Sequence, residues 1–323
     1  MSDLDGLICA YVLDGRGGAR ELQWAELDSM PTGGFSWVHL NLEGERTRGW
    51  LSGKSGLPEI VVEALTYDEV RPRCTPLGEG LLVNLRGVNL NPGADPEDMV
   101  AVRIYIDAQR AVTVRRRRMM AVNDIRDRLA AGTGPLDAGD FLVELATRLV
   151  ERMGPVIADL DDEIDALEDK AIGDAHADLR AQLWELRRVA IELRRYIAPQ
   201  RDAMTRLTTE RVAWIDAQAG QRLREVADRI TRYVEDLDAA RERAAIIQDE
   251  LTTRLAEAMN RNMYMLSIIA AIFLPLSLLT GLLGINVGGI PGVEWEWAFW
   301  SVTLGILAIG IAGYVLLRRL RWV

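Results

Sequence analysis

The chain has 323 residues and a formal net charge of -10 at pH 7. That acidity excludes nucleic acid as the main partner, because phosphate binding needs clustered Lys and Arg to release counterions. Its two cysteines, Cys9 and Cys74, lack CxxC spacing, which excludes a disulfide framework or a zinc-finger site. An acidic body of about 260 residues is joined near Met263 to a very apolar end of about 60, and cations are the natural partners of such a body.

The start, MSDLDGLICAYVLDGR, has acids where a signal peptide needs positive charge, so the body is expected to stay in the cytoplasm. Residues 1–140 read as an α/β head. LICAYVL, SWVHLNL, EGLLVNLRGVNL and MVAVRIYIDAQRAVTV are rich in β-branched and aromatic residues and bounded by turn signals, with IDAQRAV as a hairpin bend. LPEIVVEAL is a helical pattern between strands. Arg115 to Arg118 form a basic run without aromatic platforms around it, a solvated surface run. His39 and His176 have no paired Cys or His at ligand spacing and read as structural. No nucleotide loop, nucleophile elbow or metalloprotease helix is present, so nothing supports an enzyme and no bound cofactor is expected.

Residues 141–220 read as acid-rich helices, with IADLDDEIDALEDK as a charged tip, Gly173 as a turn, and Pro199 at a helix start followed by an Arg201–Asp202 ion pair. Residues 221–262 read as a stalk helix. Leu223, Val226, Ile230, Tyr233, Leu237, Ala240, Ala244, Ile247 and Leu251 alternate at spacings of three and four, the seam of a coiled-coil-like stalk. Asp228, Glu235, Glu242 and Asp249 recur every seventh residue on another, solvated face.

Residues 263–283 and 297–317 carry no formal charge, and at about 1.5 Å per residue each crosses a hydrocarbon core of about 30 Å. Pro275 bends the first span. Arg254 and Arg261 precede the spans and Arg318, Arg319 and Arg321 follow them, so both termini are expected in the cytoplasm, the latter within the basic tail 318–323. The loop 284–296 then lies outside, with Trp295, Trp297 and Trp300 in the outer aromatic belt. Asn260, Met263, Ser267, Ala270, Leu274, Ser277, Gly281 and Gly284 share one small or polar face of the first span. That stripe suits ordinary helix packing as well as it suits a pore. A second stripe, Ser301, Gly305, Ala308 and Ala312, is the expected docking face of the second span.

An acidic head, a long stalk helix entering the first of two C-terminal spans, and Gly284-Ile285-Asn286 at that span's outer end together resemble the CorA-type divalent-cation transporters along essentially the whole chain. Those carry Gly-Met-Asn at this turn. The Ile285 departure, with RPRCTPLGEGLLVNLRGVNLNPGADPEDMVAVRIYI and LTGLLGINVGGIPG, is similar to the ZntB-like zinc-transport branch. The resemblance implies an α+β membrane protein assembled as a homopentamer in the lipid of the inner membrane, with zinc as cargo and proton coupling. Magnesium or cobalt transport on the same scaffold is the alternative, with nickel and cadmium as further cargoes; a membrane-anchored coiled-coil scaffold or sensor is a remote one. It also implies that Asn260, Met263, Ser267, Ala270, Leu274, Ser277 and Gly281 line the pore, that Gly284, Ile285 and Asn286 form the selectivity filter, and that Glu294 and Glu296 attract cations at the mouth. No first-shell metal site made of side chains is expected.

Overall fold

The computed structural model describes residues 5–28, 33–68, 71–173, 177–285, 290, 292 and 294–319. They form two compact units, 1–248 and 249–323.

The first unit is built on a sheet of seven strands: β1 (Leu7–Leu13), β2 (Ala19–Glu21), β3 (Ser36–Asn41), β4 (Arg73–Leu77), β5 (Gly80–Gly87), β6 (Val100–Ile106) and β7 (Arg110–Arg115), in the order β2-β1-β3-β7-β6-β5-β4. The four strand-bearing stretches of the sequence supply β1, β3, β5, β6 and β7. The expected bend lies at Asp107, whose carboxylate accepts from the backbone N–H of Gln109 at 2.9 Å and of Arg110 at 3.0 Å, an Asx-type turn. Strands β3 and β7 pair in parallel while the other pairs are antiparallel.

Side chains alternate across the sheet. Val38 and Leu40 face one core with Trp24 of α1 (Trp24–Leu27), Trp50 and Leu51 of α2 (Thr47–Gly53), and Val61 and Leu65 of α3 (Glu59–Thr66). Trp37 and His39 face the other side, where Trp37 lies 5.0 Å from the ring of Phe141 in α5 (Ala138–Glu151). Helix α4 (Met120–Ala130) precedes α5, and α6 (Met153–Gly173) and α7 (Ala177–Thr209) follow it. Asp137 caps α5, accepting from Asp140 N at 2.9 Å.

Helix α7 is fixed to the sheet by polar contacts that no local pattern announces. Gln200 Oε1 accepts from Arg86 N at 2.6 Å, the Arg86 guanidinium lies 3.9 Å from the Tyr196 ring centroid, and Arg188 donates to Glu97 at 3.0 Å. Pro199 lies inside α7 rather than at a helix start. Buried Ile197, Gln200, Ala203 and Met204 on either side of it make packing outweigh the lost hydrogen bond. The Arg201–Asp202 pair forms at 3.0 Å. The run Arg115–Arg118 departs from the expected solvated surface run: Arg115 is buried at 7 % exposure, while Arg116 pairs with Asp68 and Arg117 with Asp98.

Helix α8 spans Ala217–Leu283. Within the first unit its seam residues Leu223, Val226, Ile230, Leu237, Ala240, Ala244 and Ile247 are buried by the chain's own helices. Arg222 reaches Asp140 of α5 at 3.0 Å, Arg243 reaches Asp161 of α6 at 2.8 Å, and Arg194 of α7 reaches Asp238 at 2.6 Å. Two expectations change. Val234 is the buried seam residue and Tyr233 is half-buried, and a seam covered within one chain is no argument for an intermolecular coiled coil. Asp228, Glu235, Glu242 and Asp249 are exposed.

His39 is fully buried, with Nδ1 2.7 Å from Thr113 Oγ1. Burial first, then the charges of Arg115 and Arg126, hold its pKa well below the ordinary 6.5. The unfolded chain therefore takes up a proton near pH 6.5 that the folded chain refuses, so this contribution to stability is present above that pH and lost as pH falls through it. Thermal melts of the full chain in detergent should show Tm falling between pH 7 and pH 5.5, with a shallower slope in His39→Gln; equal slopes would rule this account out.

Candidate functional site

The second unit carries two helices long and apolar enough to cross a membrane, the C-terminal part of α8 and α9 (Ala298–Arg319). Backbone polar groups in hydrocarbon need internal partners, which helices provide. Their hydroxyls follow the same rule. Ser267 donates to Met263 O at 2.9 Å, Thr280 to Leu276 O at 3.0 Å and Thr303 to Phe299 O at 2.8 Å.

The partly covered residues of the two spans include Ile268, Ile272 and Leu276 on α8 and Thr303, Ile306, Gly310 and Gly313 on α9. A Cβ on Gly310 would stand 3.9 Å from Leu276 Cδ1, whereas one on Gly305 would meet nothing within 4 Å. The docking face of α9 is thus rotated from the expected Ser301, Gly305, Ala308 and Ala312 toward Gly310, where the bulky Leu276 side chain of α8 packs against a residue without a side chain of its own.

Asn260, Met263, Ser267, Ala270, Leu274, Ser277, Gly281 and Gly284 are all exposed. At about 100° per residue their mean direction lies about 180° from that of Ile268, Ile272 and Leu276. The covered and small-residue faces of α8 are therefore opposite. Pro275 sits within the helix between them. Gly284 N donates to Thr280 O at 2.9 Å and ends the helix, and Ile285 follows at 49 % exposure. Asn286 lies outside the described residues. Glu294 and Glu296 are exposed in turn structure before α9, with Trp295 N donating to Gly292 O at 3.1 Å. Trp295, Trp297 and Trp300 are exposed beside them.

The sequence of residues 249–323 holds no Cys or His. Cys9 and Cys74 are both buried in the first unit, where burial pushes their thiols up to about 12 and about 11, and a protonated thiol is a poor ligand. Among the described residues no three His, Cys, Asp or Glu side chains are grouped to hold a metal ion.

The family described as CorA-like Mg2+ transporter protein matches residues 32–319. The chain is 42% identical to the divalent cation transporter CmaX of Pseudomonas aeruginosa, over 99% of this chain and 98% of that protein. It is 39% identical to the zinc transport protein ZntB of Pectobacterium atrosepticum, over 98% and 96%. A solved structure of the full-length CmaX protein superposes with a TM-score of 0.87 at 40% identity, covering 99% of both chains. The CorA magnesium transporter of Methanocaldococcus jannaschii shares the fold, with a TM-score of 0.82 at 16% identity over 98% of this chain and 99% of that one.

The pairing of the spans is directly testable. A Leu276→Cys, Gly310→Cys double variant should oxidise to an intramolecular disulfide in high yield, while Ser277→Cys, Gly310→Cys should not. Mass measurement of free thiols reads the difference, and equal yields would contradict this helix register.

Proposed function

This chain belongs to the CorA-like Mg2+ transporter protein family and moves divalent cations across a membrane, and on that premise we propose that zinc is its principal cargo. Five copies assemble in the inner membrane with both termini cytoplasmic, and the Asn260–Gly284 face of α8 lines the path. The observation that carries this reading is the exposed face opposite the α9 contact, small or polar along the span except at Met263 and Leu274. Two helices from one chain cannot enclose a cation, so a path along that face requires several copies around an axis. Support for zinc comes from the ZntB relative at 39% identity. Magnesium is the second reading, favoured by the family description and by a path without thiolate or imidazole.

The cation crosses with much of its hydration shell. Glu294 and Glu296, repeated around the axis, concentrate cations at the mouth. Asn286 presents neutral carbonyl oxygens that replace or contact the hydration shell and hold the ion weakly enough to release it. Further in, Met263 and Leu274 form apolar constrictions, while Ser267, Ser277 and the Gly281 backbone supply modest polarity.

Neutralising Glu294 and Glu296 together should reduce metal uptake into liposomes several-fold at about 10 mM salt and much less at about 0.1 M, where screening shortens to about 10 Å. Asn286→Ala should impair uptake at every salt. Unchanged flux and selectivity in Asn286→Ala would move the filter elsewhere.

Energy coupling has its own test. From Asn262 to Val293 the chain has no Asp, Glu, His, Lys or Arg, so protons that accompany zinc travel through pore water or bind at the mouth carboxylates or the cytoplasmic acids. With the membrane potential clamped, outside acid should stimulate zinc uptake, and Glu294→Gln with Glu296→Gln should abolish the stimulation if the mouth carries the proton. Uptake indifferent to pH would favour passive conduction.

A further inference from the structure

On the α1–α3 side of the sheet one lateral row runs from Arg73 through Asn84 and Arg103 to Val114, across β4, β5, β6 and β7. Directly opposed residues bring their Cβ atoms to about 4.5–5.5 Å, so the Asn84 side chain stands between two arginines. Asn84 is 1 % exposed and Arg103 2 %. Neither amide atom of Asn84 has a hydrogen-bond partner, and neither does Arg103 Nε. The hydrogen bonds of Arg103 run from Nη2 to Tyr67 O at 2.9 Å and Asp68 O at 3.2 Å, just past α3. The Asp68 carboxylate is held by Arg116 instead. Among the described residues no carboxylate pairs with Arg103, and none pairs with exposed Arg73.

Burial first, then the charges of Arg116 and Arg86, push the Arg103 pKa down to about 10, with Asp68 opposing. The guanidinium therefore stays charged at neutral pH, in a field that is positive on balance. Carbonyls at a helix end offset about half a charge. The rest is a buried cation without a counter-ion, which is costly. Water satisfies the Asn84 amide but brings no charge, whereas an anion does both. The unpartnered donors are few and fully covered, which suits a monatomic ion and leaves no place for the several oxygens of phosphate or sulfate. We propose that a halide, chloride in practice, binds between Asn84 and Arg103, accepting from Asn84 Nδ2 and Arg103 Nε and entering past Arg73. The site lies within the first unit and is independent of which cation is carried.

Thermal melts of the full chain in detergent, at constant ionic strength with chloride exchanged for gluconate, test it. A ligand that binds only the folded chain stabilises it with the logarithm of its concentration once the site is filled, so Tm should climb by about 3 °C per tenfold rise in chloride. Asn84→Asp sets a carboxylate opposite Arg103 in the place of the anion. Its Tm in gluconate should exceed that of the unaltered chain, and its chloride dependence should vanish. Arg103→Met should lose the dependence too. In crystals of the unaltered chain grown in bromide, anomalous scattering should mark an ion between Asn84 and Arg103, whether or not either variant folds. Equal Tm in chloride and gluconate, undiminished chloride dependence in folded Asn84→Asp, or no bromide at that point overturns the proposal and leaves water as the partner of Asn84.

Discussion

Everything in this chain turns on one helix meeting two solvents. From Ala217 onward α8 carries a charged, half-buried pattern, and past Arg261 the same backbone continues without a formal charge to Leu283. Water rewards the first pattern by allowing ion pairs beside an apolar seam; hydrocarbon tolerates only the second, because charges and unpaired backbone groups are costly there. The helix form satisfies its own backbone in both. What changes along it is the nature of its lateral partners, from arginine and carboxylate contacts in the first unit to ridge-and-glycine packing in the second.

Arginine does most of the joining in the acidic first unit. Arg243 gathers Asp161, Asp165 and Glu168 of α6, and Arg188 gathers Glu185 and Glu192 of its own helix together with Glu97 before β6. Glu144, 8 % exposed, faces Arg128 and Arg148. The exposed members of these networks contribute little individually. Glu97 and Glu144 are different, since a largely buried carboxylate left without its cation is destabilising. The net charge of -10 thus coexists with a helical layer in which many acids already have a positive partner.

The strongest strands were legible in the sequence because two signals agreed, β-branched composition and flanking turn residues, as in LICAYVL and the Asp107 hairpin. Short β2 and Pro76-bearing β4 were missed: the first is three residues long, and the second lies at the sheet edge where proline is tolerated. Pro199 misled because a local rule for helix starts takes no account of Gln200 reaching Arg86, 114 residues away. The stalk seam was legible as a period, and its partner was not, since spacing reports that a face is apolar without saying what covers it. The same gap separated the expected α9 stripe from the face at Gly310. On α8, the small and bulky faces could be read from residue size alone, whereas the filter role proposed for Asn286 rests only on likeness to a family.

If α8 lines the path as proposed, the back-bonded hydroxyl of Ser267 has a chemical consequence for the cargo. Its hydrogen is directed at Met263 O within its own helix turn, so outward it shows lone pairs only. Water around a dication is oriented with oxygen inward and hydrogens outward, and such a shell seeks acceptors. A serine held in this way meets the shell in the complementary sense and would repel an ion dressed the opposite way, as a hydrated anion is. On the proposed path, charge discrimination would therefore begin with the direction of one O–H bond, in a stretch of chain that contains no charge at all.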